Sequence, residues 1–166
     1  MSDTLSIVLF SGTEDKLHAA GTLAVGAAAM DRPVNILLMY WALDAFRSDR
    51  ITKDHGLAYD AARPRFNEPV ERVGDIPWLE TFRQAKEIGD VTILACSGSL
   101  QVLGIDVASL DPLVDASGGI ATFLVAAEGG VGFMSLSTCV SPGARPCSTQ
   151  SSSSVMKSAY IGTSAF

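Results

Sequence analysis

A cysteine at the end of a strand-like run is the residue best placed to do chemistry in this chain. Residues 91–95 are a continuous apolar run of strand length, and Cys96 follows directly, ahead of the short turn Ser97-Gly98-Ser99. Open α/β sheets bind ligands at the carboxyl ends of their strands, and a helix that begins there directs unpaired N–H groups at the bound group. Helix N-termini favour the thiolate, which is the nucleophilic form of cysteine. The pattern predicts a reactive thiol, with a cysteine that packs as a small apolar side chain as the structural alternative.

Two other predicted strands end in groups that would reach the same edge of a parallel sheet. Residues 6–10 and residues 34–40 are apolar runs of strand length, and polar or aromatic residues stand at or just beyond their ends. We expect the hydroxyl and backbone N–H groups to stabilise an anion at the thiol. The aromatic rings could wall a dry pocket, with plain packing as the alternative. These residues are Ser11, Gly12 and Thr13 after the first run, and Tyr40 and Trp41 after the second.

Histidine and arginine side chains are the further candidates for assisting the thiol. His18 falls one turn into the first predicted helix and could act as a base, although exposed helix surface is the alternative. His55 falls in a long irregular segment and could fold over Cys96, with a loop histidine that has no specific role as the alternative. Four arginines of the same segment could hold an anionic sulfur compound or could form a solvated surface. They are Arg47, Arg50, Arg63 and Arg65.

The composition limits the class of protein. The chain has 166 residues, of which 48% are hydrophobic and 18% charged, as expected of one well-buried domain. The net charge of −6 and the lack of a basic cluster argue against nucleic acid as a partner. No signal peptide pattern opens the chain, and the longest apolar stretch is shorter than a membrane span. Three cysteines with no CxxC pair are typical of a reducing compartment, so we expect a cytoplasmic protein.

Strand and helix patterns alternate along the chain, which predicts an α/β fold. Ser11 and Glu14 have capping-box spacing, Gly21 and Gly26 indicate close packing on a sheet, and Gly89 is placed to end a helix. We expect a single compact domain over residues 1–136, with a mainly parallel sheet of about five strands and helices on both faces. The predicted strands are 6–10, 34–40, 91–95 and 131–136; the predicted helices are 14–30, 77–88, 99–103, 105–113 and 120–128; and 117–119 is a predicted turn.

Two segments lack this periodicity. Residues 46–77 are rich in arginine and proline, and we interpret them as an irregular excursion over the carboxyl edge of the sheet. Residues 137–166 form a serine-rich tail for which we expect poor order, since it offers little apolar patterning. Cys139 and Cys147 lie in this tail with no metal-finger spacing, so they are interpreted as incidental thiols. The sequence predicts no metal site and no cofactor.

Several motifs resemble those of the DsrE/DsrF-like superfamily, particularly its DsrE2 branch. Lys86-Glu87-Ile88-Gly89, Ala95-Cys96 and Leu103-Gly104-Ile105 match a helix end, a strand end with its cysteine, and the element beyond it. Tyr40-Trp41-Ala42-Leu43 is similar to the superfamily's phenylalanine-tryptophan-glycine-leucine. A later match covers residues 113–124. The resemblance spans roughly residues 5–136; Ser97-Gly98-Ser99-Leu100 departs from it, because methionines usually surround the cysteine in this branch.

The resemblance implies a function in sulfur trafficking. Cys96 would carry sulfane sulfur as a persulfide and pass it to a partner cysteine, as in a sulfurtransferase. The implied partners are small sulfur-carrier proteins or rhodanese-like donors, and the implied assembly is a homo-oligomer. Two alternatives stay open from the residues themselves. One is a nucleotide- or flavin-binding protein that uses residues 11–14 as a phosphate cradle, and the other is a non-catalytic assembly subunit.

Overall fold

Five parallel strands form the centre of the fold. The chain is described by a computed structural model over residues 4–58, 77–128 and 130–135. The strands are β1 (Leu5–Leu9), β2 (Val34–Leu38), β3 (Val91–Cys96), β4 (Ala116–Gly118) and β5 (Val131–Ser135). The helices are α1 (Glu14–Ala28), α2 (Trp41–Ala45), α3 (Trp78–Ile88), α4 (Ser97–Leu103) and α5 (Ile120–Ala126), and Val107–Ser109 form a short 3-10 turn. The α/β fold with a parallel sheet and helices is as predicted.

The strand order explains why helices cover both faces of the sheet. The order is β4-β3-β2-β1-β5, and every neighbouring pair is parallel. From β1 to β4 the chain moves across the sheet in one direction, whereas the connection from β4 to β5 returns past the other strands. Because crossover connections between parallel strands are right-handed, the return connection lies on the opposite face. The face packed by α1 and α3 is called the first face here, and the face packed by α5 is called the second face.

The first face carries the larger part of the buried core. Alternate strand residues such as Ile7, Ile36 and Ile93 pack in one cluster with Leu17 of α1 and Phe82 of α3. Gly21 allows α1 to approach α3, since a Cβ there would collide with the Thr81 hydroxyl oxygen. The expectation that Gly21 and Gly26 both pack on the sheet is therefore wrong. Gly21 packs on a helix, and a Cβ at Gly26 would meet open space.

The second face has a much smaller buried cluster. Leu37, Cys96 and Phe123 are its buried members, and the residues around them are only partly buried. On the outer side of α5, Leu124 and Val125 are 60% and 73% exposed. Within the part of the chain that the structure describes, the short helix α5 therefore covers this face only in part.

The junction between β2 and α2 differs from the predicted strand. The strand ends at Leu38, and α2 begins at Trp41, because Tyr40 has φ +48° and turns the chain sharply. Positive φ is costly for a residue with a side chain, typically about 1–3 kcal/mol, so the surrounding structure must hold Tyr40 there. Its ring stacks on Phe10 at 5.9 Å between ring centres.

Two local predictions from polar residues are wrong. The predicted capping box fails because Thr13, not Ser11, is the residue before α1, and the Ser11 hydroxyl pairs with the Thr13 hydroxyl at 3.0 Å. The Glu14 N–H donates to the Gly56 carbonyl at 2.8 Å. The predicted turn at 117–119 is largely strand β4, because pairing with β3 overrides the turn preference of serine and glycine.

The helices near Cys96 also differ in their bounds. The helix predicted over 99–103 begins at Ser97, so Cys96 itself is the residue that precedes it. The helix predicted over 105–113 is reduced to the 3-10 turn, which Asp106 caps by accepting from the Ala108 N–H. Gly89 ends α3 as predicted; its φ is −153°, and a Cβ there would lie 2.7 Å from the Ala28 Cβ. Glycine is therefore needed at position 89 because it has no side chain, and not because the backbone is left-handed.

Some predictions fall outside the described residues. These are the tail over 137–166 with Cys139 and Cys147, the boundary at residue 136, and the part of the excursion that holds Arg63 and Arg65. Within the described ranges, no helix has the length and apolar character that crossing a bilayer requires.

Candidate functional site

Cys96 lies at the carboxyl end of β3, as the sequence predicts. Its side chain packs with Leu37 and Phe123 on the second face, and the residue is 5% exposed. The thiol is free, not part of a disulfide. A buried thiol agrees both with a reactive cysteine and with one that packs as a small apolar side chain. The residues around Cys96 are therefore needed to distinguish the two.

The helix α4, which follows Cys96, contains one unusual residue. Ser99 is buried, and its hydroxyl oxygen has no hydrogen-bond partner. Leaving a buried polar atom unpaired is costly, typically about 1–3 kcal/mol, and such atoms are few in native proteins. Gly98 is exposed, and a Cβ on it would lie 3.9 Å from the Cys96 sulfur. The thiol is thus bordered by a residue that has no side chain to cover it.

The topology around Cys96 is that of a ligand-binding crevice. Cys96 pairs with Gly118 of β4, and the two strands send the chain to opposite faces. Leu100 of α4 belongs to the cluster of the first face, whereas Phe123 of α5 belongs to that of the second. Neighbouring parallel strands whose connections diverge leave a crevice at their carboxyl ends, where open α/β sheets bind ligands.

A separate pocket lies at the carboxyl ends of β1 and β2. Its volume is about 320 Å³. The predicted residues Ser11, Gly12, Thr13 and Trp41 line it, together with Arg50 and His55. Sequence reasoning missed Asp44 and Asp54, which also line it. Asp44 stands three residues before Arg47 and six before Arg50, and this spacing of opposite charges was the available signal.

Close packing shapes the wall of the pocket. A Cβ at Gly12 would collide with the Trp41 carbonyl oxygen and would lie 3.3 Å from the Ala45 Cβ. Glycine is therefore needed where the loop after β1 passes α2. Trp41 is 61% exposed, so its indole ring borders the pocket and also meets solvent. Tyr40, which was predicted to act beside it, stacks on Phe10 and does not line the pocket.

His55 is held in the pocket by its own neighbours. Its ring meets Trp78 edge to face at 5.4 Å, and a hydrogen bond joins it to the Ile51 backbone. Its Nε2 is buried and has no hydrogen-bond partner. Burial lowers the pKa of His55 below 6.5, and the nearby Arg50 charge lowers it further, against the opposing effect of the Ile51 hydrogen bond. The imidazole is therefore neutral at neutral pH.

Arg50 and Asp44 form the charged wall of the pocket. The Arg50 Nε lies 3.1 Å from Asp44 Oδ2, and Arg47 Nη1 lies 3.3 Å from Asp44 Oδ1. Asp44 is therefore paired on both of its oxygens. Arg47 also reaches Asp49 at 2.9 Å, so its charge is directed away from the pocket.

The predicted site is thus divided between two places. The pocket gathers Ser11, Gly12, Thr13 and Trp41, whereas Cys96 and the turn 97–99 do not line it. His55 packs on Trp78 in the first-face cluster and lines the pocket, which does not favour the interpretation that it folds over Cys96. His18 is half-buried on α1 and also lies outside the pocket lining. The described residues contain no cluster of three or more side chains able to hold a metal ion.

The start of α1 is poorly suited to hold a phosphate. Its first N–H, from Glu14, donates to the Gly56 carbonyl, and the Asp15 carboxylate accepts from the Ala58 N–H at 3.1 Å. The loop over 56–58 therefore occupies this end of the helix. Two carboxylates in the first turn would also repel an anion. This geometry does not favour the nucleotide-binding alternative.

Comparisons with known proteins bear mainly on the fold. No family model matches the chain. The chain is similar to the uncharacterized protein YrkE of Bacillus subtilis (strain 168), with 26% identity over 147 residues that cover 75% of this chain and 91% of YrkE.

Two solved structures are similar to the chain. MTH1491 from Methanobacterium thermoautotrophicum, a protein of unknown function, matches with a TM-score of 0.53 and 14% identity over 81% of this chain and all of MTH1491. The ychN protein from E. coli matches with a TM-score of 0.48 and 17% identity over 80% of this chain and 97% of its own. The likeness to MTH1491 shows that the two chains share a fold.

Proposed function

We propose that this protein carries sulfane sulfur as a persulfide on Cys96 and passes it to the cysteine of a partner protein. The observation that carries the proposal is the position of Cys96 beside Gly118, where β3 and β4 send the chain to opposite faces. Ligand sites in open α/β sheets lie at such divergence points. The sequence resemblance to the DsrE2 branch supports the same assignment.

The transfer consists of two thiol exchange steps. The Cys96 thiolate attacks the outer sulfur of a donor persulfide R–S–SH, the donor S–S bond breaks, and R–S⁻ leaves as Cys96–S–SH forms. An acceptor thiolate then attacks the outer sulfur of Cys96–S–SH, which yields the acceptor persulfide and restores the Cys96 thiolate. Sulfur, charge and protons balance in both steps, so no further oxidant or reductant is needed.

The immediate surroundings of Cys96 suit this chemistry. The first backbone N–H groups of α4 have no partner within the helix and lie next to the thiol in sequence. Ser99 has a buried hydroxyl without a hydrogen-bond partner, and we propose that it donates to the outer sulfur of the persulfide. A side chain at Gly98 would contact the sulfur, and its absence favours the approach of a sulfur donor from that side.

Mass spectrometry after incubation with a polysulfide tests the proposal. A variant with Cys139→Ser and Cys147→Ser, which keeps Cys96 as its one thiol, should gain about 32 Da in a form that reductant reverses. The matched Cys96→Ser variant, which keeps the other two thiols, should gain none. Equal reducible sulfur uptake by the Cys96→Ser variant would refute the assignment.

A Ser99→Ala variant tests the part that the hydroxyl plays. Because the hydroxyl is unpaired in the resting structure, its removal should leave the free energy of unfolding unchanged or raise it. The rate of sulfur uptake should nevertheless fall, since the anionic sulfur loses a donor. An unchanged rate would show that Ser99 takes no part in the transfer.

The proposal also specifies a class of partner and an assembly. Small sulfur-carrier proteins or rhodanese-like donors are the proposed partners, and the proposed location is the cytoplasm, where thiols are kept reduced. We further propose a homo-oligomer in which a second copy covers α5. The exposed apolar side chains of α5 support this: Ile120, Leu124 and Val125.

A further inference from the structure

The pocket at the carboxyl ends of β1 and β2 has the size and position of a second ligand site. Its volume of about 320 Å³ lies at the lower end of the range of small-molecule sites, and open α/β sheets bind ligands at this edge. Cys96 is not part of its lining, so its ligand need not be the sulfur donor. The hydrogen-bonding groups of the lining indicate which ligand fits.

The charged groups that line the pocket are already paired with groups of the protein. Asp44 is ion-paired through one oxygen with Arg47 and through the other with Arg50, so the charge of Arg50 is balanced within the pocket wall. The Asp54 carboxylate accepts from the Gly56 N–H at 2.8 Å. An ion that enters the pocket loses hydration, which is costly without a free partner of opposite charge. The pocket therefore favours a ligand that has no net charge.

His55 gives the pocket wall a hydrogen-bond acceptor that lacks a donor. Its Nε2 is buried and has no hydrogen-bond partner among the described residues, and such atoms are few in native proteins. The hydrogen bond to the Ile51 backbone opposes the lowering of the His55 pKa, so it is a bond that the ring donates, and Nδ1 carries the proton. Burial keeps the imidazole neutral, which leaves a lone pair on Nε2. A ligand that donates an N–H satisfies this atom.

The Ser11 and Thr13 hydroxyls, called the hydroxyl pair here, supply a donor in the same pocket. They lie 3.0 Å apart and share one hydrogen bond, which uses one of their two hydrogens. Among the residues that the structure describes, no acceptor takes the other hydrogen. The Glu14 N–H bond to the Gly56 carbonyl, at 2.8 Å, holds the loop of Thr13 against the loop of His55. A ligand between these loops can accept from the hydroxyl pair and donate to Nε2.

The indole ring of Trp41 supplies an aromatic surface. Trp41 is 61% exposed and lines the pocket, and the methyl group of Ala45 lies in the same lining. Flat rings pack favourably on the face of an indole. The lining thus combines one acceptor, one donor and one aromatic surface.

We infer that this pocket binds a small uncharged ring compound with a carboxamide group, whose N–H donates to His55 Nε2, whose carbonyl accepts from the hydroxyl pair, and whose ring lies on Trp41. A carboxamide is the simplest uncharged group that has a donor and an acceptor on separate atoms. The inference uses none of the residues that carry the proposed sulfur transfer. Either one can therefore fail without the other.

Four compounds of similar size test the ligand class. Benzamide has both the donor and the acceptor, acetophenone has the carbonyl but no N–H, benzoate is an anion, and benzylamine is a cation. Binding is followed by NMR of the two indole N–H signals, which arise from Trp41 and Trp78 and which a Trp41→Phe variant assigns.

Benzamide should shift the Trp41 signal with a dissociation constant at least about fivefold below those of the other three compounds, because each of these leaves a polar group of the pocket unpaired or brings in a charge. Equal or tighter binding of any of the three, or no shift with benzamide, would overturn the inference.

A His55→Phe variant tests the acceptor. Phenylalanine keeps an aromatic ring against Trp78 but has no Nε2. The affinity for benzamide should therefore fall to that for acetophenone, whereas the affinity for acetophenone should stay as in the wild type. A variant that keeps the preference for benzamide over acetophenone would overturn the inference.

A variant that lacks the hydroxyl pair tests the donor. Ser11→Ala combined with Thr13→Val should weaken benzamide and acetophenone by the same factor, since both compounds use their carbonyl there. Thr22→Val is the matched control, because the Thr22 hydroxyl donates to the His18 carbonyl on α1, outside the pocket lining, and should leave both affinities unchanged. Equal benzamide affinity in the double variant and the wild type would overturn the inference.

Discussion

The two faces of the sheet differ in how completely they are buried, although the same strands contribute to both. On the first face, α1 and α3 pack closely on each other and on the strands, with Phe82 fully buried among them. On the second face, α5 alone covers a cluster of Leu37, Cys96 and Phe123, and its outer apolar side chains meet solvent. The first face therefore holds most of the buried core, and the second face contains the buried thiol beside a helix with exposed apolar side chains.

The largest expected effect comes from removing one phenylalanine from each face. Phe82→Ala should lower the free energy of unfolding by about 3–5 kcal/mol, because it leaves a cavity in a closely packed core. Phe123→Ala should cost less, since partly exposed neighbours can close over the gap. Urea unfolding followed by circular dichroism measures both. Equal losses would show that the second face is as well packed as the first.

Two glycines of α1 sharpen the comparison at the next level. Gly21→Ala should destabilise the protein by about 1–3 kcal/mol, because the new methyl group collides with the Thr81 hydroxyl between α1 and α3. Gly26→Ala should stabilise it by about 0.5–1 kcal/mol, because the position is open and alanine favours helix. The same unfolding measurement compares the two. A tolerated Gly21→Ala would mean that the helices are less tightly packed than described.

The sequence predicts the parts of the fold that local patterns determine. The apolar runs of β1 and β3 and the small-residue helix α1 are close to the predicted ranges, since each pattern is long and regular. The edge strand β4 and the end of β2 are not predicted. The first depends on pairing with β3, and the second depends on the positive φ of Tyr40, which no periodicity indicates.

The candidate site was predicted as one group of residues, and the structure divides it. Successive residues of a strand point to opposite faces, so Ala95 packs in the first cluster and Cys96 in the second. The pocket residues Ser11 to Thr13 face α2 on the first side. The alternation of side chains along β3 places Cys96 on the face opposite the pocket residues, and the sequence contained this signal. The place of His55 depends on Trp78, far along the chain, and no local pattern could indicate it.

The pH dependence of stability should reveal the buried histidine near the first face. The pKa of His55 is lowered in the folded protein, so the unfolded chain binds a proton that the folded protein does not. Stability should therefore fall as the pH drops below about 6.5 toward the folded pKa. The charges that act on His55 include the opposing carboxylates Glu14 and Asp44 as well as Arg50.

A His55→Gln variant isolates this contribution. Glutamine does not titrate, so the variant should lose less stability than the wild type between pH 7 and pH 5, measured by urea unfolding at each pH. The chain has two histidines, and a His18→Gln variant measured in the same way separates the contribution of His55 from that of His18. Parallel profiles for the wild type and His55→Gln would contradict the lowered pKa.

The smallest effect on folding is expected at the outer surface of α5. Leu124 is 60% exposed, and an exposed substitution such as Leu124→Lys should change the free energy of unfolding by no more than about 0.5 kcal/mol. If a second copy covers α5, the same change places a charge in an apolar interface, and sedimentation velocity should show smaller species than the wild type gives. Ala19→Lys on the exposed side of α1 is the control and should leave the assembly intact. A wild type that sediments as a monomer would contradict the homo-oligomer. A Leu124→Lys variant that assembles normally would show that the interface does not include α5.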